Sequence, residues 1–364
     1  MKDAMSLEEN RKRIDLIDEE IIRLINERTS MAVEIGKEKA AIGKPVFDAK
    51  REAEVFEKIT DLNDGPIGHD ALRGIYREIM SGNYALQQSV RIAYLGPAAT
   101  FTHQAAMKQF GDSMEYRPMT TINDVFSEVD KGEADYGVIP IENSAEGIVF
   151  HSLHSFDILV GSDLKIVAQI FLPITHNLIS HASLKNVKKV YSKDQAIAQC
   201  RGWLRRNVPQ VELADVSSTS EAVKIADKEE GAAAIASVLA AEEHGVPIIW
   251  EEIQDMNNNI TRFLVIGPES ECPGPVGGGK DKTSLVLSIP DKPGALQSML
   301  EPFSKRDINL VKIESRPSRI KAWEYWFFVD VIGHIEDEPI REVIAELEKV
   351  CPIVKWLGSY PNET

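Results

Sequence analysis

Arg28 and Lys39 stand eleven residues apart in a stretch of helical periodicity, and at about 100° per residue they return to within roughly 20° of each other on the helix surface. Arg11, seventeen residues before Arg28, falls about 100° away from it. It therefore points elsewhere, with the pocket of a paired chain as one destination. Arg51 and Glu52 open a second helical stretch behind Asp48, and Asn83 and Gln87 are spaced i, i+4 on a third, which puts them on one face. Cations, one carboxylate and two neutral hydrogen-bonding groups suit a small dicarboxylate that carries a hydroxyl and an ether. Each residue alone reads as a solvated charge on a helix surface; the set is what points to a ligand.

Further candidates follow in four stretches. Tyr94-Leu95-Gly96-Pro97-Ala98-Ala99-Thr100-Phe101-Thr102 is a small-residue loop between a strand and a helix, which offers N–H groups and hydroxyls to an anion. Val138-Ile139-Pro140-Ile141-Glu142-Asn143-Ser144 runs a strand into polar residues. Ser217-Ser218-Thr219-Ser220 opens a helix, where hydroxyls also serve as plain N-caps. Asn257-Asn258-Asn259-Ile260-Thr261-Arg262-Phe263 feeds an Asn-rich loop into a strand. Near the C-terminus, Pro290-Asp291-Lys292-Pro293-Gly294-Ala295-Leu296 approaches a helix start, and Glu314-Ser315-Arg316-Pro317 follows the strand NLVKI.

Three segments of different grammar must position these residues. In 6–88, Ile14, Ile17, Ile21, Leu24, Ile25, Ala32 and Ile35 recur at helical steps with charge between them. Ser6 and Glu9 form a capping-box pattern. A helix from Ser6 to about Ala41 would be roughly 50 Å long, too long for one small domain to bury, so a partner chain is expected. Gly43 and Pro45 break it, Asp48 caps AKREAEVFEKITDL, and a third helix runs from His69 to about Gln88. In 90–268, the runs RIAYLG, YGVIPI, LKIVAQIFLPI, KKVYS, AAAIAS and TRFLVIG alternate with amphipathic helices, which is α/β grammar. The Pro/Gly-rich stretch around 269–281 reads as a linker. In 282–362 the order βαββαβ is ferredoxin-like. The aromatic run Trp323, Tyr325, Trp326, Phe327, Phe328 belongs to strand core and interface by its period of two.

Composition narrows the function classes. With 364 residues there is room for two or three cores. The net charge of −16 disfavours nucleic acid, so a small anion captured locally fits better than a polyanion. No apolar run reaches membrane-spanning length, and the charged start MKDAMSLEENRKRID has no signal-peptide core. Three cysteines without C-x-x-C spacing argue against a disulfide framework or a thiolate metal site. A reduced, cytoplasmic protein with neither metal nor cofactor is expected.

The helical segment, through PVFDAKRE and the interrupted rod, resembles the all-helical chorismate mutases, whose intertwined dimers draw each active site from both chains. The resemblance implies that Arg11 (from the partner), Arg28 and Arg51 bind carboxylates. It implies that Lys39 and Gln87 bind the ether oxygen and that Glu52 binds the hydroxyl, with Asp48 in the same wall. Asn83 stands where that family usually has serine. A pericyclic rearrangement needs no nucleophile or proton carrier, only positioning and charge stabilisation.

The four middle stretches, in this order and spacing, resemble prephenate dehydratase, a fold of two α/β lobes flanking a cleft like periplasmic binding proteins. That likeness points to Thr261 as the central catalytic residue and places Glu142, Asn143, Ser192, Gln199, Ser218, Thr219 and Arg262 around the cleft. Ala98 replaces an acidic or small residue. A buried Glu142 of raised pKa could supply the proton for the departing hydroxyl; His103, His151 and His154 are alternatives, and the acid stays open. The C-terminal segment resembles an ACT regulatory domain, which implies a phenylalanine site at Gly294, Ala295, Leu296, Glu314, Ser315, Arg316 and Pro317. Together these imply conversion of chorismate to prephenate and of prephenate to phenylpyruvate, feedback by phenylalanine, and a homodimer or tetramer. Two rivals remain: a monofunctional dehydratase with a helical dimerisation arm, and a non-catalytic amino-acid sensor.

Overall fold

The structure, a computed structural model, describes residues 6–144, 158–317 and 325–362. His151, His154 and Trp323 lie outside the described residues. The N-terminal segment is three helices, α1 (Leu7–Ala41), α2 (Ala49–Leu62) and α3 (His69–Gln87). The expected capping box is present: Ser6 Oγ accepts from the N–H of Glu9, whose carboxylate accepts from the N–H of Ser6. Asp48 accepts from the N–H of Arg51 at 3.0 Å and starts α2. Only the C-terminal part of α1 packs within the chain. Upstream, Ile14, Ile17, Ile21 and Leu24 are 46–56 % exposed, an apolar stripe left uncovered by the described residues.

The middle segment has two lobes. In the first, β1 (Arg91–Leu95), α4 (Phe101–Phe110), β2 (Glu115–Met119), α5 (Ile122–Asp130), β3 (Tyr136–Asn143) and β4 (Lys165–Pro173) build most of a sheet. The chain then crosses to β5 (Asn177–Ile179), β6 (Lys189–Ser192), α6 (Asp194–Gln199), α7 (Arg201–Asn207), β7 (Glu212–Asp215), α8 (Thr219–Lys228), β8 (Ala232–Ala236), α9 (Val238–His244) and β9 (Ile248–Trp250). It returns as β10 (Ile260–Gly267). The strand orders are β2-β1-β3-β10-β4 and β7-β6-β8-β5-β9. The returning strand sits between β3 and β4, antiparallel to both, so Thr261 is delivered beside Asn143. Sequence pattern does not announce β2, β5, β7 or β9. The first, third and fourth of these are sheet edges, where one half-covered face needs no apolar run, and β5 has only three residues.

The C-terminal domain runs β11 (Asp281–Ile289), α10 (Ala295–Ser304), β12 (Leu310–Pro317), β13 (Tyr325–Ile332), α11 (Glu338–Val350) and β14 (Ile353–Pro361), with sheet order β12-β13-β11-β14. This is the expected βαββαβ unit. Its sheet shares a core with the first lobe: Val286, Trp326, Phe328 and Leu357 pack with Ile139, Ile141, Ile166 and Leu264. At Gly358 (φ +152°) a Cβ would come within 2.1 Å of the Ile166 carbonyl oxygen, so only glycine lets the two backbones meet there. The connection between them is pinned. Tyr136 donates to Glu271, and the N–H groups of Val276 and Gly277 donate to Asp281 at 3.0 and 2.8 Å. Among the described residues no helix is long and apolar enough to cross a membrane.

Candidate active sites

Helical periodicity gathers the N-terminal set as expected. Arg28, Lys39, Asp48, Arg51, Glu52, Asn83 and Gln87 line one cavity of about 610 Å³, walled by Met31, Ala32, Ile35, Val46, Val55, Met80 and Tyr84. Arg11 is exposed and lies outside it, roughly 25 Å up the α1 axis from Arg28. Lys39 Nζ donates to the Val46 carbonyl at 3.2 Å, and Arg51 pairs with Glu54 at 3.0 Å on the rim. Glu52 is only 4 % exposed and accepts from Gln109 Nε2 at 2.9 Å, across the seam from α4. Burial and the carboxylates of Glu52 and Asp48 push the Tyr84 phenol far up, so it stays protonated. Gly36, the buried residue of α1, faces Gln87; a Cβ there would lie 2.5 Å from Gln87 Cγ.

The second cavity, about 210 Å³, lies in the cleft between the lobes. Thr261, Asn143, Gln199, Ser218 and Thr219 line it, together with Gly96, Pro97, Thr100, Phe101, Lys193 and His176. The N-terminus of α4, capped by Thr100, approaches from one lobe, and that of α8, capped by Ser218, approaches from the other. Two helix N-termini facing one space favour an anion between them. Asn143 Nδ2 donates to Thr261 Oγ1 at 2.8 Å and to Asn259 Oδ1 at 2.7 Å. Asn259 Nδ2 donates to Gln199 Oε1 at 3.1 Å, and His176 Nε2 lies 2.8 Å from that same oxygen. Since an amide oxygen only accepts, Nε2 carries the proton, and burial holds the His176 pKa down, keeping the ring neutral. With Thr261 Oγ1 accepting from Asn143, its own O–H is available to a ligand. Ser144 is exposed and outside the cavity lining; its Oγ donates to Asn258 O and accepts from the Ile260 N–H, joining the Pro-Ile-Glu-Asn-Ser and Asn-rich stretches.

Three residues expected around the cleft are elsewhere. Side chains alternate along a strand, so Asn143 and Thr261, paired in register, face the cleft, whereas their neighbours Glu142 and Arg262, also paired, face the C-terminal domain. Glu142 is half-buried rather than buried, and accepts from Lys312 Nζ at 2.5 Å. Arg262 is buried, donating to Asp330 at 2.7 Å and to Tyr360 Oη at 2.9 Å. Ser192 is fully buried and donates to the Ile235 carbonyl at 2.7 Å, a bond inside the second lobe. His103 is stacked on Tyr94 and its Nδ1 accepts from the Ala99 N–H at 3.1 Å, which gives it a place in the loop. His176 and Lys193 carry no motif; the run Asn257–Asn259 did mark the region of Asn259.

In the C-terminal domain, Tyr325 pairs in register with both Ile289 and Pro317, so Gly294, Ala295 and Leu296 follow the same end of the sheet as Glu314, Ser315, Arg316 and Pro317. Gly294 (φ +81°) caps α10, and Leu296 is 44 % exposed. Arg316 Nε donates to Glu314 at 2.6 Å.

A cation-lined helical cavity, a two-lobed cleft built for an anion and a docked ferredoxin-like domain define a multidomain enzyme acting on small carboxylates. Residues 10–88 match the family Chorismate mutase type II, 92–271 match Prephenate dehydratase and 283–349 match the ACT domain. A bifunctional chorismate mutase/prephenate dehydratase from Aquifex aeolicus is 48% identical over 361 residues, covering 98% of this chain and 98% of its own length. One from Pseudomonas aeruginosa is 41% identical, covering 100% of this chain and 99% of its own. A solved prephenate dehydratase from Arthrobacter aurescens, in complex with L-Phe, is similar at TM-score 0.68 and 34% identity over 75% of this chain and 90% of that one. The chain belongs to the bifunctional chorismate mutase/prephenate dehydratases, which join two activities of phenylalanine synthesis in one polypeptide.

Proposed function

We propose that chorismate rearranges in the helical cavity and that prephenate is decarboxylated and dehydrated in the cleft between the lobes. The observation that carries the first assignment is the convergence of Arg28, Lys39, Arg51, Glu52, Asn83 and Gln87 from three helices on one cavity. Arg28 and Arg51 bind the substrate's carboxylates, Glu52 its hydroxyl, and Lys39 and Gln87 its ether oxygen, where negative charge grows as the C–O bond lengthens. Preorganised donors aimed at that oxygen lower the barrier without any proton transfer. The buried Asn83 amide can donate as a serine hydroxyl would.

In the cleft, the helix N-termini of α4 and α8 hold the dianion. The bond from the ring to its carboxylate breaks, CO2 leaves, and the electron pair enters the ring as it becomes aromatic. The ring hydroxyl departs as water by taking up one proton, drawn in the net reaction from solvent. Thr261, oriented by Asn143, donates its hydrogen bond to that hydroxyl. Glu142, turned away from the cleft and engaged with Lys312, is not the proton source in this reading. Replacing Arg28 by Ala is expected to abolish chorismate turnover and spare prephenate turnover. Thr261→Val should do the reverse, lowering dehydratase kcat by about 10²-fold. Parallel loss of both activities in either folded variant would refute separate sites.

The same reading assigns phenylalanine sensing to the end of the C-terminal sheet carrying Gly294, Ala295, Leu296 and Glu314–Pro317. The chain divides into a mutase domain at 6–88, a dehydratase domain at 90–268, a connection at 269–281 and an ACT domain at 282–362, and works in the cytoplasm. It acts as a homo-oligomer at least dimeric: the exposed apolar stripe on α1 fits a partner helix, and Arg11, outside its own chain's cavity, is placed to serve a partner's. Leu296→Glu should weaken phenylalanine binding in calorimetry at least tenfold and blunt inhibition to match; intact feedback would move the sensor elsewhere.

A further inference from the structure

Glu52 is bonded by a residue that does not belong to the helical segment at all. Gln109 stands on the last turn of α4, fifty-seven positions further along the chain, and donates Nε2–H to Glu52 Oε2 at 2.9 Å. The opposite end of α4, Thr100 to Thr102, lines the cleft. One ten-residue helix, roughly 15 Å long, therefore touches both candidate sites. Gln109 also lines a cavity of about 390 Å³ in the seam itself, walled by α2 and α3 on one side and by α4 and β4 on the other, so the Glu52–Gln109 bond joins a residue of each cavity.

A carboxylate that is 4 % exposed has lost its hydration and depends on donors for its orientation. Hydrogen bonds to a charged group are the strong ones, and an amide donor neither adds charge nor gives up a proton. On its own side Glu52 shares a cavity with Arg28, Lys39, Asp48 and Arg51, near Tyr84. In the neighbouring cavity, Asp70, Arg73 and Arg77 of α3 face Lys108 of α4. A cation in place of Gln109 would compete with the substrate's own cationic ligands for Glu52; a carboxylate would repel it.

We infer that Gln109, in the dehydratase segment, is a positioning residue for chorismate rearrangement, fixing the Glu52 carboxylate in the mutase cavity. This rests on the assignment of Glu52 as a chorismate ligand. It goes beyond that assignment, because it gives a residue of the dehydratase lobe a part in ordering the mutase site.

The experiment uses the full chain and assays chorismate and prephenate turnover separately. Glu52→Gln tests the underlying assignment, and normal chorismate turnover in it removes that assignment and the inference together. Gln109→Leu keeps the size of the side chain and deletes the donor. It should lower kcat/KM for chorismate about 10-fold and leave prephenate turnover unchanged. If Glu52→Gln is impaired while Gln109→Leu is normal, the assignment stands and the inference falls. Gln109→Glu guards against a folding artefact. Two carboxylates at this distance cannot both ionise freely, so one pKa rises and the shared proton restores the bond only below it. Chorismate turnover by that variant should fall as pH rises relative to the parent chain, while prephenate turnover keeps the parent profile. A pH profile that parallels the parent's overturns the inference.

Discussion

At the scale of single residues, Gly36 shows how a site can be protected by what is missing. Glycine inside a helix costs about 1 kcal/mol relative to alanine, so a glycine within α1, before its last turn, needs a reason. Here the reason is Gln87, whose side chain passes where a Cβ would stand, with Cγ at 2.5 Å and Oε1 at 2.6 Å. Gly36→Ala should leave thermal stability almost level, since helix propensity gains what crowding loses. It should cut chorismate turnover by about 10-fold or more as the Gln87 amide is pushed off its position. Unaltered turnover with a well-folded variant would separate Gln87 from the reaction. The cation set was legible in sequence because helical rise and rotation are fixed, so spacing alone dictates which residues share a face. The same rule for strands was available at β3 and β10. Alternation forbids Glu142 and Asn143, or Thr261 and Arg262, from facing one space. His176 gives no such signal, since it stands alone in a connection and acquires its partners only through the fold.

At the scale of elements, α1 is the part of the chain whose form its own contacts do not explain. A thirty-five-residue helix with Ile14, Ile17, Ile21 and Leu24 in solvent would place several apolar side chains against water. Burying each is worth about 1.5–3 kcal/mol. The capping box fixes where it begins, and in the proposed homo-oligomer a partner helix supplies the burial. Ile17→Glu with Ile21→Glu should therefore dissociate the oligomer in sedimentation and abolish chorismate turnover, with dehydratase activity retained. Mixing Arg11→Ala chains with Arg28→Ala chains should restore part of the mutase activity in verified heterodimers, since one of the two pockets then has both arginines. No recovery would mean that Arg11 serves no partner pocket. Periodicity revealed α1, α2 and α3 almost to the residue because they are long and amphipathic. It failed for β2 (EYRPM) and β7 (ELAD), which are edge strands whose pairing, not their own composition, makes them strands.

At the scale of the whole molecule, the Pro/Gly-rich connection suggests a module that could be cut away, yet the C-terminal sheet completes a core begun by the first lobe. Lys282 lies in that junction, 6 % exposed, with Nζ donating to Gln169 Oε1 at 3.1 Å and 5.9 Å from the Phe171 ring centre. Burial first, and then the neighbouring Arg262, push its pKa down to about 8, while Asp330 and Glu142 pull the other way and Lys312 adds to the depression. An unfolded chain holds that proton up to the ordinary lysine value of 10.5. Between about 8 and 10.5 the unfolded state thus binds more protons than the folded one, and stability from this group rises with pH. Below the window both states are charged; above it neither is. Raised tyrosine values at Tyr136 and Tyr360 act in the opposite sense as pH climbs past 10, so the group must be isolated by difference. Thermal midpoints of the parent chain and of Lys282→Met, taken at pH 7.5, 8.5 and 9.5, do this. The parent should gain on the variant across the upper interval, by at most about 1.4 kcal/mol per pH unit. Curves that stay parallel to pH 9.5 would mean that Lys282 titrates as it does in water, and that the seam between lobe and regulatory domain is wet.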